Sequence, residues 1–358
     1  MNPGSIPGEA SNISQDQTFA KAQRNGPTNM KHGGEPPYKN HLDKDRWLDL
    51  STGINPIPYS LPTLTATDWQ ALPLKRDMDE LLSSARIAYE IPNDIEIFAG
   101  PGTEALIWQL PDMFDGATSV LGPTYSSHAE SWAHWNGSPS ILASNCSWPT
   151  NQNLVVVNPN NPTGAFIAPE TLIEFARTLA PGCVLVVDEA FMDCTPEFSV
   201  IRHLEPNLPI LVLRSFGKFY GQAGLRLGFA IGQKSRIRQL SMRIGDWSVS
   251  GPALQIGKRA LLDQNWQYTM RLHLKSRMNQ LVGFLKRPNS IVGKTDLFLL
   301  YNHLEAHDLH EFLAQQRIWT RIFSDNPSWI RFGVPGNIKD FSRLVQGFYD
   351  FYETKQET

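Results

Sequence analysis

Residues 210–221 read ILVLRSFGKFYG, an apolar run that leads through Arg214 and Ser215 to Gly217 and Lys218. A short run of this kind is typical of a strand buried on both faces of a parallel sheet. Similar runs recur from about residue 95, with helical stretches between several of them. The other runs are, in chain order, IEIFAG, TSVLGP, SILAS, NLVVVNP, VLVVDEAF and LGFAIG. This alternation predicts an α/β fold whose mostly parallel sheet lies between helices.

The remaining sequence predicts how the chain divides. Residues 1–29 are rich in Gly, Pro, Ser, Asn and Gln, and we expect a disordered tail there. We expect residues 30–70 to join a small domain and residues 71–286 to form the large domain, ending in one long helix from residue 252. Residues 287–358 mix short apolar runs with helical stretches, which predicts a small α+β domain.

Composition excludes several classes of function. The chain has 358 residues, a formal net charge of −3 and 41% hydrophobic residues. No basic cluster indicates a nucleic-acid partner, and no apolar stretch approaches the roughly 20 residues of a membrane span. The three cysteines form no CxxC pair and suit reduced thiols, so we expect a cytoplasmic protein.

Three histidines have the spacing of one helix face, which could suggest a metal site. His303, His307 and His310 follow an i, i+4, i+7 pattern. They straddle a predicted strand-to-helix boundary, however, and exposed helix histidines are common. We therefore predict no metal.

A polar or glycine-rich segment follows each of five apolar runs. In a parallel sheet these exits meet at one edge, where ligands bind. The segments are PGTEAL, TYSSH, NNPTG, DEAF and KFYG. Each is weak alone, but their order predicts one shared site.

Two of the exits suit anion and ring binding, although each also has a plain structural explanation. Gly102 and Thr103 stand at a helix start, where free N–H groups attract a phosphate, or Thr103 is an ordinary helix cap. Asn161 precedes Pro162, so its side chain can point back to the sheet edge, or the segment is a simple turn.

The other exits supply a carboxylate and an amine. Asp188 follows an apolar strand, where a carboxylate is costly unless a cation or N–H groups accompany it. Lys218 at a strand exit becomes a nucleophile if burial and a nearby cation such as Arg226 lower its proton affinity. Arg226 and the Ser215 hydroxyl can hold a phosphate. A reactive lysine, an aspartate for a ring nitrogen and an anion site are what pyridoxal phosphate requires.

The order GTEAL, PTYS, NPNNPTG, DEAF, SFGK and LRLG resembles the fold-type I pyridoxal-phosphate enzymes of the class I/II aminotransferase superfamily, over about residues 30–350. Within it, HGG, LDLSTGINP, VVDEAFMD, SFGKFYGQAGLRLGF and IRFGVPG resemble the threonine-phosphate decarboxylases of the cobalamin pathway, to which histidinol-phosphate aminotransferases are similar. The resemblance implies decarboxylation of a phosphorylated amino acid, O-phospho-L-threonine, by a homodimer. An aminotransferase of the histidinol-phosphate type and a catalytically idle cofactor-binding protein stay as alternatives.

The resemblance also implies roles for individual residues. It implies that Lys218 and Asp188 are catalytic and that Tyr125 stacks on the cofactor ring. The cofactor would be bound by Gly102, Thr103, Glu104, Tyr125, Asn161, Asp188, Ser215, Lys218 and Arg226. The substrate would be bound by His32, Asn55, Asn161, Arg321 and Arg331.

Two positions depart from the pattern of the relatives. Phe191 follows DEA where many relatives have a tyrosine whose hydroxyl helps to hold the ring oxygen of the cofactor. Leu72 precedes Pro73 where many have a tyrosine that reaches the cofactor phosphate of the partner subunit. Neither contact is expected in this chain.

Overall fold

The structure is a computed structural model that describes residues 33–38, 43, 46–286 and 290–356. The predicted tail and His32 lie outside the described residues. The strands are β1 (Leu48–Asp49), β2 (Glu96–Gly100), β3 (Thr118–Leu121), β4 (Ser140–Leu142), β5 (Asn153–Val157), β6 (Leu185–Asp188), β7 (Ile210–Ser215), β8 (Gly228–Gly232), β9 (Ile291–Lys294), β10 (Phe298–Asn302), β11 (Ile318–Trp319), β12 (Arg321–Ile322) and β13 (Trp329–Gly333). The helices are α1 (Ala66–Gln70), α2 (Lys75–Tyr89), α3 (Thr103–Gln109), α4 (Ser126–Trp135), α5 (Pro169–Thr178), α6 (Phe216–Phe219), α7 (Lys234–Ile244), α8 (Gly251–Leu262), α9 (Gln264–Leu285), α10 (Ala306–Gln315) and α11 (Ile338–Gln356).

The seven apolar runs form one seven-stranded sheet in the order β2-β8-β7-β6-β5-β3-β4. Strands β7, β6, β5, β3 and β4 run parallel, whereas β8 is antiparallel to both of its neighbours. The predicted mostly parallel α/β sheet is confirmed. Because β5, β6 and β7 all end at the same edge, the exits that follow them meet there.

Helices cover both faces of this sheet, because successive strand residues point to opposite faces and are apolar on both. Val187 and Val212 pack with α2, α8 and α9 on one face. Val186 and Leu213 pack with α3, α4 and α7 on the other face. No helix in the described ranges is long and apolar enough to cross a bilayer.

The predicted long helix from residue 252 is wrong as one element. The chain breaks at Asp263, between α8 and α9, because the Asp263 carboxylate accepts a hydrogen bond from the Trp266 backbone N–H at 3.0 Å and caps α9. The short run RIWTRIF at 317–323 is divided between two strands, since β11 pairs in parallel with β1 and β12 pairs with β13.

A second, antiparallel sheet has the order β12-β13-β10-β9. The turn at 158–164 meets this sheet without side chains between them: a Cβ atom built on Gly164 would lie 2.4 Å from the backbone oxygen of Lys294. The turn belongs to the exit edge of the large sheet, so the second sheet lies beside that edge. The domain boundaries at residues 70 and 286 stay a prediction.

Candidate active site

A cavity of about 630 Å³ lies between the exit edge of the large sheet and strands β12 and β13. Of the residues expected at the site, the cavity is lined by Tyr125, Asn161, Lys218, Arg321 and Arg331. These residues lie up to 206 positions apart in sequence, from Tyr125 to Arg331. The fold therefore brings an amine, an aromatic ring, an amide and two guanidinium groups to one surface.

Lys218 lies on α6, the four-residue helix that directly follows β7. Burial and the charge of nearby Arg331 together lower the pKa of its ammonium group to about 8, against the attraction of Asp188. Its Nζ lies 5.8 Å from the centroid of the Phe191 ring. The amine thus gives up its proton more readily than an ordinary lysine, which favours its action as a nucleophile.

Asp188 ends β6 and is buried beneath this site. Its Oδ2 lies 2.9 Å from Nε2 of His128, and its Oδ1 accepts a hydrogen bond from the Ala190 N–H at 3.0 Å. His128 is fully buried on α4. These partners fix the orientation of a carboxylate that would otherwise be costly to bury.

His128 is the residue that sequence reasoning missed. It lies in the exit segment TYSSH, three positions after Tyr125. That i, i+3 spacing places both residues on one side of a helix start, and their rings meet edge to face with centroids 6.2 Å apart. The spacing could have marked His128 as a neighbour of the site.

The start of α3 and the Arg226 guanidinium form a compact cluster of N–H donors. Gly102 has a φ of +87°, and a Cβ atom there would lie 2.5 Å from Nη2 of Arg226. A Cβ atom on Gly228 would lie 2.5 Å from the backbone nitrogen of Thr103. Glycines at both positions thus let the guanidinium and β8 approach the free N–H groups of the helix start. Ser215, at the end of β7, pairs with Gly228 across the strands.

Glu104 bonds the hydroxyl group of Tyr125, an aromatic residue that lines the cavity. Its Oε2 accepts a hydrogen bond from the Tyr125 hydroxyl at 2.9 Å, and its Oε1 accepts one from the Trp108 indole N–H at 2.9 Å. Burial, together with this carboxylate, raises the pKa of Tyr125. Glu104 therefore fixes the ring that lines the cavity.

Arg331 and Arg321 are direct cross-strand partners on β13 and β12. One Nη of Arg331 donates to Oδ1 of Asn161, and the other donates to the Ser51 carbonyl at 2.7 Å. Burial and the neighbouring Arg321 lower the pKa of Arg331. Among the described residues, the buried Nε of Arg331 has no acceptor, so this arginine retains a donor for an anion.

The structure does not place Asn55 at the cavity. Its side-chain amide donates to the Phe219 carbonyl at 2.8 Å and accepts from the Ile57 N–H at 2.9 Å. Its own backbone N–H donates to the Lys218 carbonyl at 2.9 Å. Asn55 thus holds the helix that carries Lys218.

The departures at Phe191 and Leu72 have different surroundings. Phe191 lines the cavity and packs edge to face on Phe298, with centroids 5.0 Å apart. Leu72 is 65% exposed. Neither side chain offers a hydroxyl group.

The three histidines of the predicted helix face do not converge. His303 bonds to the Tyr352 hydroxyl at 2.8 Å, and His310 bonds to the Thr320 hydroxyl at 2.7 Å. Within the part of the chain that the structure describes, no three His, Cys, Asp or Glu side chains are grouped to hold a metal ion.

Residues 93–348 match the family model for aminotransferase class I and II, and the chain belongs to this family. It is 36% identical over 319 residues to a threonine-phosphate decarboxylase from Sinorhizobium sp, covering 88% of this chain and 93% of the relative. It is also 36% identical over 338 residues to a threonine-phosphate decarboxylase from Pseudomonas aeruginosa, covering 92% of this chain and 100% of the relative.

Solved structures share the fold. Histidinol-phosphate aminotransferase from Sinorhizobium meliloti in complex with pyridoxal-5'-phosphate has a TM-score of 0.68 at 16% identity, covering 81% of this chain and 85% of that one. L-threonine-O-3-phosphate decarboxylase from Porphyromonas gingivalis has a TM-score of 0.66 at 16% identity, covering 86% of this chain and 99% of that one. The fold is therefore that of the fold-type I enzymes, as the sequence motifs predicted.

Proposed function

We propose that this protein is a pyridoxal-phosphate-dependent decarboxylase that converts O-phospho-L-threonine to (R)-1-amino-2-propanol O-2-phosphate and CO₂ in cobalamin biosynthesis. The observation that carries this proposal is the pair Arg321 and Arg331, opposite each other on adjacent strands and lining the cavity that Lys218 lines. Two guanidinium groups suit an amino acid with two anionic groups, a carboxylate and a phosphate. The relatives at 36% identity over about nine-tenths of the chain carry the name of this activity.

The residues present fit the cofactor. Lys218 would bind its aldehyde carbon, and the buried Asp188 would accept a hydrogen bond from its ring nitrogen. The phosphate would lie at Gly102 and Thr103, beside Arg226 and the Ser215 hydroxyl. Tyr125 would stack on the ring, and Asn161 would donate to the ring oxygen.

The cofactor supplies an electron sink for the pair that is left on Cα when the bond to the carboxylate breaks. Asp188 keeps a proton on the ring nitrogen, and His128 holds that carboxylate in place. Lys218 would hold the cofactor before the substrate binds, and its Nζ would return a proton to Cα after CO₂ leaves. Its lowered pKa suits both tasks, because a base that works near neutral pH should titrate there.

The arginines decide which Cα bond breaks. The bond that breaks must lie perpendicular to the cofactor ring, and the substrate's orientation is set by its anionic ends. Arg321 and Arg331 would hold both ends, so they would place the Cα–carboxylate bond rather than the Cα–H bond in that direction. Substrate positioning of this kind distinguishes decarboxylation from transamination.

The deciding assay supplies O-phospho-L-threonine to the pyridoxal-phosphate-loaded protein without any 2-oxo acid. We expect release of CO₂ and of the amine phosphate, loss of turnover in Lys218→Ala, and mainly a raised KM in Arg331→Ala. Strict dependence on 2-oxoglutarate would assign the protein to the aminotransferases instead. If borohydride traps no cofactor on Lys218, both enzymatic readings fail.

We propose a homodimer as the working assembly. Four large apolar side chains between residues 61 and 74 are more than half exposed: Leu61, Trp69, Leu72 and Leu74. A cluster of this kind on one segment supports an interface with a second chain. Light scattering on the purified protein tests this, and a monomer at micromolar concentration would contradict it.

We also propose a cytoplasmic location. Its support is the three free thiols, of which Cys146 is exposed, Cys183 is half-buried and Cys194 is buried. Unpaired thiols are usual in a reducing compartment. Cell fractionation tests this, and recovery from the periplasm would contradict it.

A further inference from the structure

Three charged side chains are buried together beside the candidate active site, and we call Arg214, Glu189 and Asp193 the buried triad. One Nη of Arg214 donates to Oε2 of Glu189 at 3.0 Å, and the other donates to Oδ1 of Asp193. Their side chains are 1%, 0% and 3% exposed. None of its three side chains lines the cavity, although Glu189 and Arg214 directly adjoin Asp188 and Ser215 in sequence.

The buried triad lies on the opposite face of the large sheet from Asp188. On β6, Val186 and Asp188 face α3, α4 and α7, so Glu189 faces the opposite side because strand residues alternate. On β7, Arg214 lies two residues after Val212 and therefore faces that same side. The Glu189 N–H also donates to the Leu213 carbonyl at 2.9 Å, which continues the pairing of β6 with β7. Arg214 and Glu189 therefore join the ends of β6 and β7, on the face of the sheet opposite to Asp188.

A second set of contacts extends the buried triad to the helix of Lys218. Arg271 on α9 donates Nε to the backbone carbonyl of Asp193 at 2.8 Å. Its guanidinium lies 5.3 Å from the ring centroid of Phe219, the residue after Lys218. Arg271 thus links the helix that carries Lys218 to the turn that carries Asp193.

Stability alone does not explain these charges. Burying an ion pair costs desolvation energy, and well-packed apolar side chains of similar volume are often at least as stable. Glu189 is nevertheless fully enclosed and further bonded by the Ser199 hydroxyl at 2.5 Å and the Val200 N–H at 2.8 Å. A forked guanidinium between two carboxylates is directional, whereas apolar packing is not. What such a fork adds is a defined geometry between β6, β7 and the turn at 192–194.

We propose that the buried triad is a positioning group that holds Asp188 and Lys218 at the separation and orientation that the reaction requires. This inference rests on the proposed function, since it assigns those two residues to one cofactor. One residue of slip in β6 or β7 would turn Asp188 or Ser215 to the wrong face, and smaller shifts would move the carboxylate away from the ring nitrogen. The hydrogen bonds of the buried triad between β6, β7 and the turn at 192–194 oppose both the slip and the smaller shifts.

The test is Arg214→Lys in the pyridoxal-phosphate-loaded protein, because lysine keeps the charge but cannot bond both carboxylates in a fork. We expect kcat to fall about 10-fold or more while KM stays within about twofold. We also expect the visible circular dichroism band of the bound cofactor to weaken, since that band reports ring orientation. Arg202→Lys is the matched control, since Arg202 bonds Glu90 at 2.7 Å and neither residue lines the cavity, and it should keep the activity and band of the wild type.

If Arg214→Lys does not fold, Asp193→Asn provides the same comparison, because it keeps the bond between Arg214 and Glu189. It should lose about threefold to tenfold in kcat with a weakened band. Variants that lower only the melting temperature, with wild-type kcat and band, would show a purely structural role and overturn the inference. A wild-type protein that releases no CO₂ overturns the proposed function instead, and the dichroism band then decides the positioning role separately.

Discussion

The buried amine of Lys218 makes the stability of the cofactor-free protein depend on pH. Its pKa is about 8 when folded and 10.5 as an ordinary value. Between these values the unfolded chain binds a proton that the folded chain does not, so the free energy of unfolding rises with pH by up to about 1.4 kcal/mol per unit. Below pH 8 the folded protein bears the full free-energy cost of burying the charged Lys218 ammonium group.

Lys218→Met should therefore be more stable than the wild type at pH 7, by up to about 3 kcal/mol, and the difference should vanish near pH 10.5. Urea unfolding of both cofactor-free proteins at pH 7 and pH 10 measures this, because other titrating groups cancel in the difference. A difference in unfolding free energy between the two proteins that stays constant with pH would show that burial does not shift the pKa of Lys218.

His128 should matter through Asp188. His128→Phe leaves Oδ2 of a buried carboxylate without its 2.9 Å partner, at a cost of about 1–3 kcal/mol. We expect kcat to fall about 10-fold and the cofactor to dissociate more readily, whereas His128→Gln, which keeps a hydrogen-bonding group, should lose less. Steady-state kinetics and cofactor titration check this. Equal losses in both variants would mean that packing, and not the hydrogen bond, is what Asp188 needs.

At the scale of elements, two glycines offer a controlled test of the proposed phosphate site at the start of α3. Gly102 and Gly116 have nearly the same φ, +87° and +88°, so alanine is strained equally at both. Only at Gly102 would the new Cβ atom meet a neighbour, Arg226, whereas at Gly116 nothing lies within 4 Å. Gly102→Ala should thus displace the guanidinium and weaken cofactor binding about 10-fold, while Gly116→Ala loses only stability. Fluorescence titration with pyridoxal phosphate measures both, and similar cofactor affinities would argue against a phosphate at this helix start.

Sequence patterns predicted elements well where a pattern extends over several residues. The strands from β2 to β8 were found because both faces of the central ones are apolar. The break at Asp263 was missed because one capping carboxylate interrupts α8 and α9 without a proline or glycine. The division between β11 and β12 was missed because two-residue strands have no periodicity, and their partners are set by distant segments.

At the scale of the whole molecule, motif order predicted the sheet edge on which the site lies, but not every contact made there. Arg321 and Arg331 were expected from the family resemblance, and their pairing follows from the register of β12 and β13. Asn55 was expected at the substrate, and only the folded chain shows that its amide binds the Phe219 carbonyl. His128 was missed because its spacing from Tyr125 indicates only a neighbour of the site, whereas its bond to Asp188 forms only in the folded chain.

The contact between the two sheets should control substrate binding more than cofactor binding. The turn that carries Asn161 packs against the backbone of β9, and a Cβ atom on Gly164 would lie 2.4 Å from the Lys294 carbonyl oxygen. Gly164→Ala should force the second sheet, with Arg321 and Arg331, away from the large sheet. Lys218, Asp188 and the Arg226 cluster belong to the large sheet and should remain in place.

We therefore expect KM for O-phospho-L-threonine to rise about 10-fold or more in Gly164→Ala, with a much smaller change in the cofactor's dissociation constant. Gly182→Ala is the control, since Gly182 also has a positive φ, +93°, but its Cβ atom would meet nothing within 4 Å. Kinetics and cofactor titration on both variants separate the two effects. If Gly164→Ala instead weakens cofactor binding as much as substrate binding, the large sheet does not hold the cofactor independently of the second sheet.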